Sequence, residues 1–547
     1  MERGELMNSL KKFLKLGACI CVFSLVCGSI LSAPGTSYAL TSQSNMNQVS
    51  EDDSNLAAVY GDLNADKLVN SMDCALMVRY ILGRISEFPN KVELRSADVN
   101  GDGKIDSIDL QLIKGYVLQQ IYKFPVEEKV NTPLVTPTLG KKPEDFTGTL
   151  TLAHFNNDEA IALVEAFEEA YPNVKVKLQV TADTNGAYQT LIASELRSGQ
   201  GDADVFASEV AFVKRFVNFA DGYEDLSAAP YNAEELKSKL APYTIDIGRS
   251  DDGKIRALSH QACVGALGYK RDIAKKYLGT DDSEKISEMF STSDKILETG
   301  RKLKLASGGK AKLFPGMTEL MRMYLGAHNQ AWVEDGKLVI DPKIEEFVDL
   351  AKKLRDEDII GRMDAWTPQW SAAIQDDVNL AWAIPTWGIP WIIDVNQAEN
   401  QKRTGDWGLA KGPSAYAWGG TWFGICKGSK NKELAWEFIK FITCNKEQSI
   451  AWAKSSGDFI SNLEAIDTLS KDETMVSKTI NQNPYEVYGP MIKEINGSTM
   501  TLYDDIITND FCDAMKLYLS GKITKDQMWL QFKQYVSMDL GEQIKVY

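Results

Sequence analysis

Two twelve-residue stretches 36 positions apart constrain the early part of this chain more than any other feature: DLNADKLVNSMD at 62–73 and DVNGDGKIDSID at 98–109. Each sets oxygen-bearing side chains at loop positions one, three, five, nine and twelve. Calcium is a hard cation that takes roughly six to eight oxygens, and a twelve-residue loop supplies them from side chains and one backbone carbonyl. The spacing assigns side-chain contacts to Asp62, Asn64, Asp66, Asn70 and Asp73, with the carbonyl of Leu68. In the second loop it assigns Asp98, Asn100, Asp102, Asp106 and Asp109, with the carbonyl of Lys104. Gly103 stands at the sixth position, where the backbone turns sharply, but the first loop has Lys67 there and is expected to be the more strained site.

The repeat outlasts the loops. Tyr80 matches Tyr116, Leu82 matches Leu118, and Phe88-Pro89 matches Phe124-Pro125. An amphipathic helix is predicted after each loop, over 72–83 and 108–120. The residues before Asp62 and Asp98 are short and weakly periodic, so the loops lack the entering helices of an EF-hand. A loop followed by a single helix, twice over residues 58–125, resembles the type I dockerin. That resemblance implies a small all-α calcium-binding module holding two Ca2+ ions and docking into a cohesin module of a scaffold protein, as in a cellulosome. It also implies that loop positions ten and eleven, Ser71-Met72 and Ser107-Ile108, help select the cohesin.

Residues 1–39 read as a secretory signal: Lys11, Lys12 and Lys15 precede an apolar run from Leu16 to Ser32, and Ser37-Tyr38-Ala39 offers the cleavage site. The chain is therefore expected to be secreted and held at the cell surface or cellulosome. Cys19 follows Leu-Gly-Ala, but its apolar run comes after the cysteine, so a lipid anchor there is the less favoured reading. Five cysteines remain after cleavage without ligand-like spacing, which argues against a disulfide scaffold. The net charge of −16 disfavours a nucleic-acid partner. Residues 126–146, rich in Pro, Thr and charge, read as a linker.

From 147 to 547 the pattern changes. Strands are predicted at 148–155, 173–180 and 204–208, alternating with helices at 158–172, 187–199 and 209–222. This alternation argues an α/β domain with a parallel sheet that binds ligand at its carboxyl strand ends. GDADVFASEVAFVKRFVNFADGYEDLS (201–227), CVGALGYKRDIAKKYLG (263–279) and WGGTWFGICKGSKNKELAWEFIKFI (418–442), in that order, resemble the extracellular solute-binding proteins of bacterial sugar ABC importers, which include maltose-binding proteins. The resemblance implies a two-lobed periplasmic-binding-protein-like fold with a hinge. One lobe would hold about 147–258 and 417–465, the other about 262–415 and 470–540.

All twelve tryptophans lie after residue 330, nine of them between Trp332 and Trp422. Indole faces stack on the apolar faces of pyranose rings while carboxylates and amides bind the hydroxyls. The candidates for an oligosaccharide are Trp387, Trp366, Trp370, Trp418 and Trp391, in irregular stretches with Gly or Pro, together with Trp332. Asn156 and Glu209, at predicted strand ends, are the polar candidates, and both positions also suit helix caps. The expected activity is non-catalytic sugar capture by a monomer, with an ABC permease as a further candidate partner. A dockerin-bearing glycoside hydrolase is the rival class. It needs two carboxylates roughly 5–10 Å apart, but no hydrolase signature stands at a strand end.

Overall fold

Residues 60–81, 84–92, 94–100, 104–117, 124, 141–184, 186–198, 201–219, 222–397 and 405–547 are described by the computed structural model. Asp102, the proposed signal segment and most of the linker lie outside these residues. The chain divides into two compact units. One comprises Met1–Asn131 with Thr181–Gly201, and the other Thr132–Val180 with Asp202–Tyr547.

In the first unit each acidic loop leads into one helix, α1 (Ser71–Ile81) and α2 (Ser107–Val117). Leu63, Leu76, Met77, Phe88, Val99, Ile113, Tyr116 and Phe124 form its core. The duplication extends to the packing: Tyr80 stacks on Phe88 at 5.0 Å, and Tyr116 stacks on Phe124 at 4.6 Å. Burying the same aromatic pair in both repeats gives a short sequence the apolar area it otherwise lacks.

The second unit is built on nine strands: β1 (Gly148–His154), β2 (Val174–Val180), β3 (Val205–Glu209), β4 (Leu258–Ser259), β5 (Val264–Lys270), β6 (Ala381–Pro385), β7 (Trp407–Ala410), β8 (Tyr416–Ala417) and β9 (Thr421–Ile425). A further short hairpin joins Val333–Glu334 to Lys337–Leu338. The first sheet runs β2-β1-β3-β9-β4. Its β1–β2 and β1–β3 pairs are parallel, but β9 runs antiparallel to both β3 and β4, so the sheet is mixed and not wholly parallel as predicted. In the second sheet β5 pairs antiparallel with β6 on one edge and with β8 and β7 on the other. Every residue of β5 is buried, as its run VGALGYK requires of a strand covered on both faces.

The helices that position the site are α3 (Asn157–Ala170), α4 (Val210–Val217), α5 (Met317–Gly326), α6 (Lys432–Cys444), α7 (Asp504–Leu519) and α8 (Lys525–Leu540). Predicted and observed elements agree to within a few residues at 148–180. The 209–222 helix ends early, at Val217. Three segments connect the two sheets and hydrogen-bond to one another. Ala262 N–H donates to the Phe459 carbonyl (2.9 Å), Ser461 N–H to His260 (2.9 Å), and Trp418 N–H to Cys263 (2.9 Å). These links mark the hinge region between two lobes. Among the described residues all five cysteines are free thiols, and no helix is long and apolar enough to cross a membrane.

Candidate functional site

The first acidic loop is ordered by its own carboxylates. Asp73 accepts the Leu63 N–H (2.7 Å) and the Asn70 N–H (2.8 Å), Asp62 accepts Lys67 N–H (2.8 Å), and Asn64 accepts Asp66 N–H (2.9 Å). In the twin loop Asp109 accepts from Val99 (3.0 Å) and Asp106 (2.9 Å). Burial pushes the Asp73 and Asp109 carboxyls up, and neighbouring Asp62, Asp66 and Asp98 push the same way. This concentration of carboxylate and amide oxygen suits a hard divalent cation. Lys67, predicted to be strained, has φ +69, in the left-handed region that its twin position fills with glycine. Met72 and Ile108 are 59% and 52% exposed, with Ser71 and Ser107 exposed beside them. The two exposed apolar side chains occupy equivalent positions, one at the start of each helix.

In the second unit the carboxyl ends of β1 and β3 meet the 418–421 segment. Asn156 caps α3, accepting from Asp158 (3.0 Å) and Glu159 (3.2 Å) N–H. Glu209 caps α4, accepting from Ala211 N–H (2.7 Å), and pairs with Thr421 across the β3–β9 ladder. Both polar candidates thus carry a structural duty at the strand ends. Beside them Trp387 Nε1 donates to the Trp418 carbonyl (2.7 Å), and their rings meet edge-on at 5.0 Å. Trp366 stacks near-parallel to Trp387 (6.1 Å) and also touches Trp370 (5.2 Å) and Trp418 (5.8 Å). Four predicted tryptophans therefore form one cluster at the junction of the lobes. Trp366 holds φ +67, an outlier for an aromatic residue.

Two tryptophans stand apart. Trp332 is 2% exposed and packs on Phe511 and Phe532, both at 5.7 Å, so it belongs to the helical core and not to the cluster. A short apolar run around it gave no hint that α7 and α8 would cover it. Trp391 is 43% exposed on a turn at Ile389–Ile393 and shares no ring contact with the cluster among the described residues. DAWTPQW is also more regular than predicted: Thr367 caps a short helix, Pro368–Ala373, which buries Trp370 and lets its indole donate to Glu319 (2.6 Å).

The sequence reading overlooked a buried polar network behind this cluster. Glu159 accepts from His260 Nε2 (2.8 Å) and Thr421 Oγ1 (3.5 Å), while Asp458 accepts from Gln261 (2.8 Å) and Trp452 (3.0 Å). Its partners are up to 262 positions apart in the chain, which no local pattern reveals. His154 is fully buried, and its Nδ1 accepts the Asn156 N–H (2.9 Å). Burial lowers its pKa to about 4, only partly opposed by Glu159. Burial pushes the Glu159 carboxyl up, but His154 and His260 outweigh it and hold it below its ordinary value.

Acid should therefore weaken this lobe. The depressed His154 contributes stability that is complete above about pH 6.5 and lost as pH falls towards about 4, roughly 3 kcal/mol in full. Glu159 loses stability in the same direction, below its ordinary pKa. Urea midpoints measured from pH 7 to 4 should fall more steeply for the natural chain than for His154→Asn; equal slopes would contradict the assignment.

Comparison with known proteins places these observations in a class. The profile of the family described as bacterial extracellular solute-binding protein matches residues 162–483, and that of the dockerin type I domain matches 60–118. A crystal structure of an extracellular solute-binding protein family 1 member is 22% identical with a TM-score of 0.62, covering 71% of this chain and 99% of its own. The sugar-binding protein MalE of Xanthomonas citri is 15% identical (TM-score 0.58), covering 72% of this chain and 98% of its own. The galacto-N-biose-/lacto-N-biose I-binding protein of a Bifidobacterium longum ABC transporter is 14% identical (TM-score 0.55), covering 73% and 99%. The fold is that of the two-lobed solute-binding proteins. The chain belongs to the bacterial extracellular solute-binding protein family and carries a type I dockerin domain ahead of the solute-binding region.

Proposed function

We propose that this protein captures an oligosaccharide between its lobes without cleaving it, and is held outside the cell by calcium-dependent docking of its dockerin to a cohesin. The observation that carries the first half is the cluster of Trp366, Trp387 and Trp418, backed by the fully buried Trp370 and joined through Thr421 to the end of β3. Indole walls with a few fixed polar groups are what a pyranose chain requires. Type I dockerins bind calcium. Here Asp62, Asn64, Asp66, Asn70 and Asp73, with the carbonyl of Leu68, would hold one ion. Asp98, Asn100, Asp102, Asp106 and Asp109, with the carbonyl of Lys104, would hold the second. The exposed Ser71, Met72, Ser107 and Ile108 would meet the cohesin. In this layout 58–125 is the plug, 126–146 a tether, and 147–547 the binding domain, with hand-over to an ABC permease as a following step.

Calorimetry of the signal-free chain against cello-, xylo-, manno- and malto-oligosaccharides tests the reading. Saturable heat with no new reducing ends is expected. Release of reducing ends would establish the hydrolase instead, and silence toward every sugar would assign the cleft to another solute.

A further inference from the structure

One charged group at the tryptophan cluster has no counterpart of its own. Glu319 and Arg322 lie one turn apart on α5, yet they are used differently. The Glu319 carboxylate is fully engaged: one oxygen accepts the Trp370 indole N–H (2.6 Å) and the other the Ala383 backbone N–H (2.7 Å). The central carbon of the Arg322 guanidinium lies over Trp418, 3.4 Å from the ring centroid. Among the described residues no hydrogen bond and no ion pair within 4.0 Å reaches it. Its nitrogens are not sealed from solvent, and the side chain is only half-buried. Burial nevertheless lowers its pKa, with the Glu319 charge opposing. Asp364 is paired with Lys516 (3.9 Å) and gives Arg322 no close acceptor.

Water can meet these five donors while the site is open, but a ligand that covers the guanidinium displaces that water and must supply oxygens in its place. A sugar hydroxyl satisfies one donor and leaves the charge uncompensated. A carboxylate takes two parallel N–H groups of the planar fork and cancels the charge as well. Close packing on Trp418 restrains the guanidinium in advance, so less side-chain freedom is lost on binding.

We infer that Arg322, braced on Trp418, is a specificity-determining residue for an acidic sugar, so that the captured oligosaccharide carries a uronic acid. This rests on the carbohydrate reading above and narrows it to a substrate class. Trp366 and Trp387, which meet Trp418 edge-on at 73° and 71°, would flank the charged residue with apolar walls for the neighbouring sugars.

Calorimetry of the signal-free chain should compare glucuronic-acid-substituted xylo-oligosaccharides and galacturonic acid oligomers with neutral xylo-oligosaccharides of equal length. An acidic ligand is expected to bind at least tenfold tighter than its neutral counterpart, with the advantage shrinking as salt rises. Arg322→Gln should remove that advantage while sparing neutral binding, and Arg322→Lys should keep part of it. Thermal melting of each variant confirms that it folds. Neutral ligands binding as tightly as acidic ones would overturn the inference and leave the carbohydrate reading standing. Equal weakening of both classes by Arg322→Gln would also overturn it, because the arginine would then only support Trp418. Silence toward both classes would overturn the carbohydrate reading itself.

Discussion

Stripping calcium from the intact chain will abolish its capture by a cohesin, and Asp73→Ala or Asp109→Ala will do so even with calcium in excess. The buried position-twelve carboxylates are the reason. Asp73 joins the start of its loop to the start of α1 by accepting from Leu63 and Asn70, and Asp109 does the same for α2 through Val99 and Asp106. Alanine at either position removes a metal oxygen and leaves two loop amides without their acceptor, at about 1–3 kcal/mol for each that stays buried. Without the cation, Asp62 and Asp66 also repel Asp73 across a short distance. Since metal binding and folding are coupled in small metal domains, loss should be steep and reversible. Asp66 is exposed and bonds to Leu68 N–H and Asn64, so Asp66→Ala should weaken capture less. Surface capture titrated with chelator and then with calcium is the measurement. Capture indifferent to calcium would refute the docking assignment.

Trp332→Ala is expected to cost roughly 3–5 kcal/mol of stability and leave ligand affinity unchanged. Its ring fills the space between Phe511 of α7 and Phe532 of α8, where nothing else can follow it into the gap. Trp387→Ala should behave in the opposite way. That ring is only half-buried, and it meets both Trp366 and Trp418. Its loss should cost about 2 kcal/mol of binding, roughly thirtyfold, with a smaller effect on unfolding. Trp387→Phe keeps an aromatic face but loses the indole donor to the Trp418 carbonyl, and should fall between the two. Urea melts and calorimetry on the same preparations separate these roles. A Trp332→Ala protein that is stable but unable to bind would return Trp332 to the site.

The difference between these two tryptophans shows what sequence can disclose. The acidic loops were legible because their pattern is local: all the candidate ligands fall within twelve residues, and the repeat supplies its own control. The strand-helix alternation was legible for the same reason, since hydrophobic period depends on near neighbours. Trp387 and Trp418 stood out through adjoining Gly and Pro. Trp332 has no adjoining Gly or Pro, and α7 and α8, from far along the chain, decide its burial. Arg322 was missed because TELMRM reads as an ordinary helical turn. An arginine between buried Met321 and Met323 was the available clue. The Glu159 and Asp458 network draws on three connecting segments, and only the folded chain brings them together.

Gly419 and Gly420 sit where a lobe connection and the aromatic wall share the same few atoms. Both have positive φ, +100 and +117, and a Cβ on Gly419 would lie 2.7 Å from Trp387 Nε1. A side chain there would disturb the indole and the backbone joint together. This couples two properties that could otherwise vary independently: which solute fits, and how the lobes meet around it. Changes in ligand preference would have to leave this pair alone and fall on side chains away from the joint.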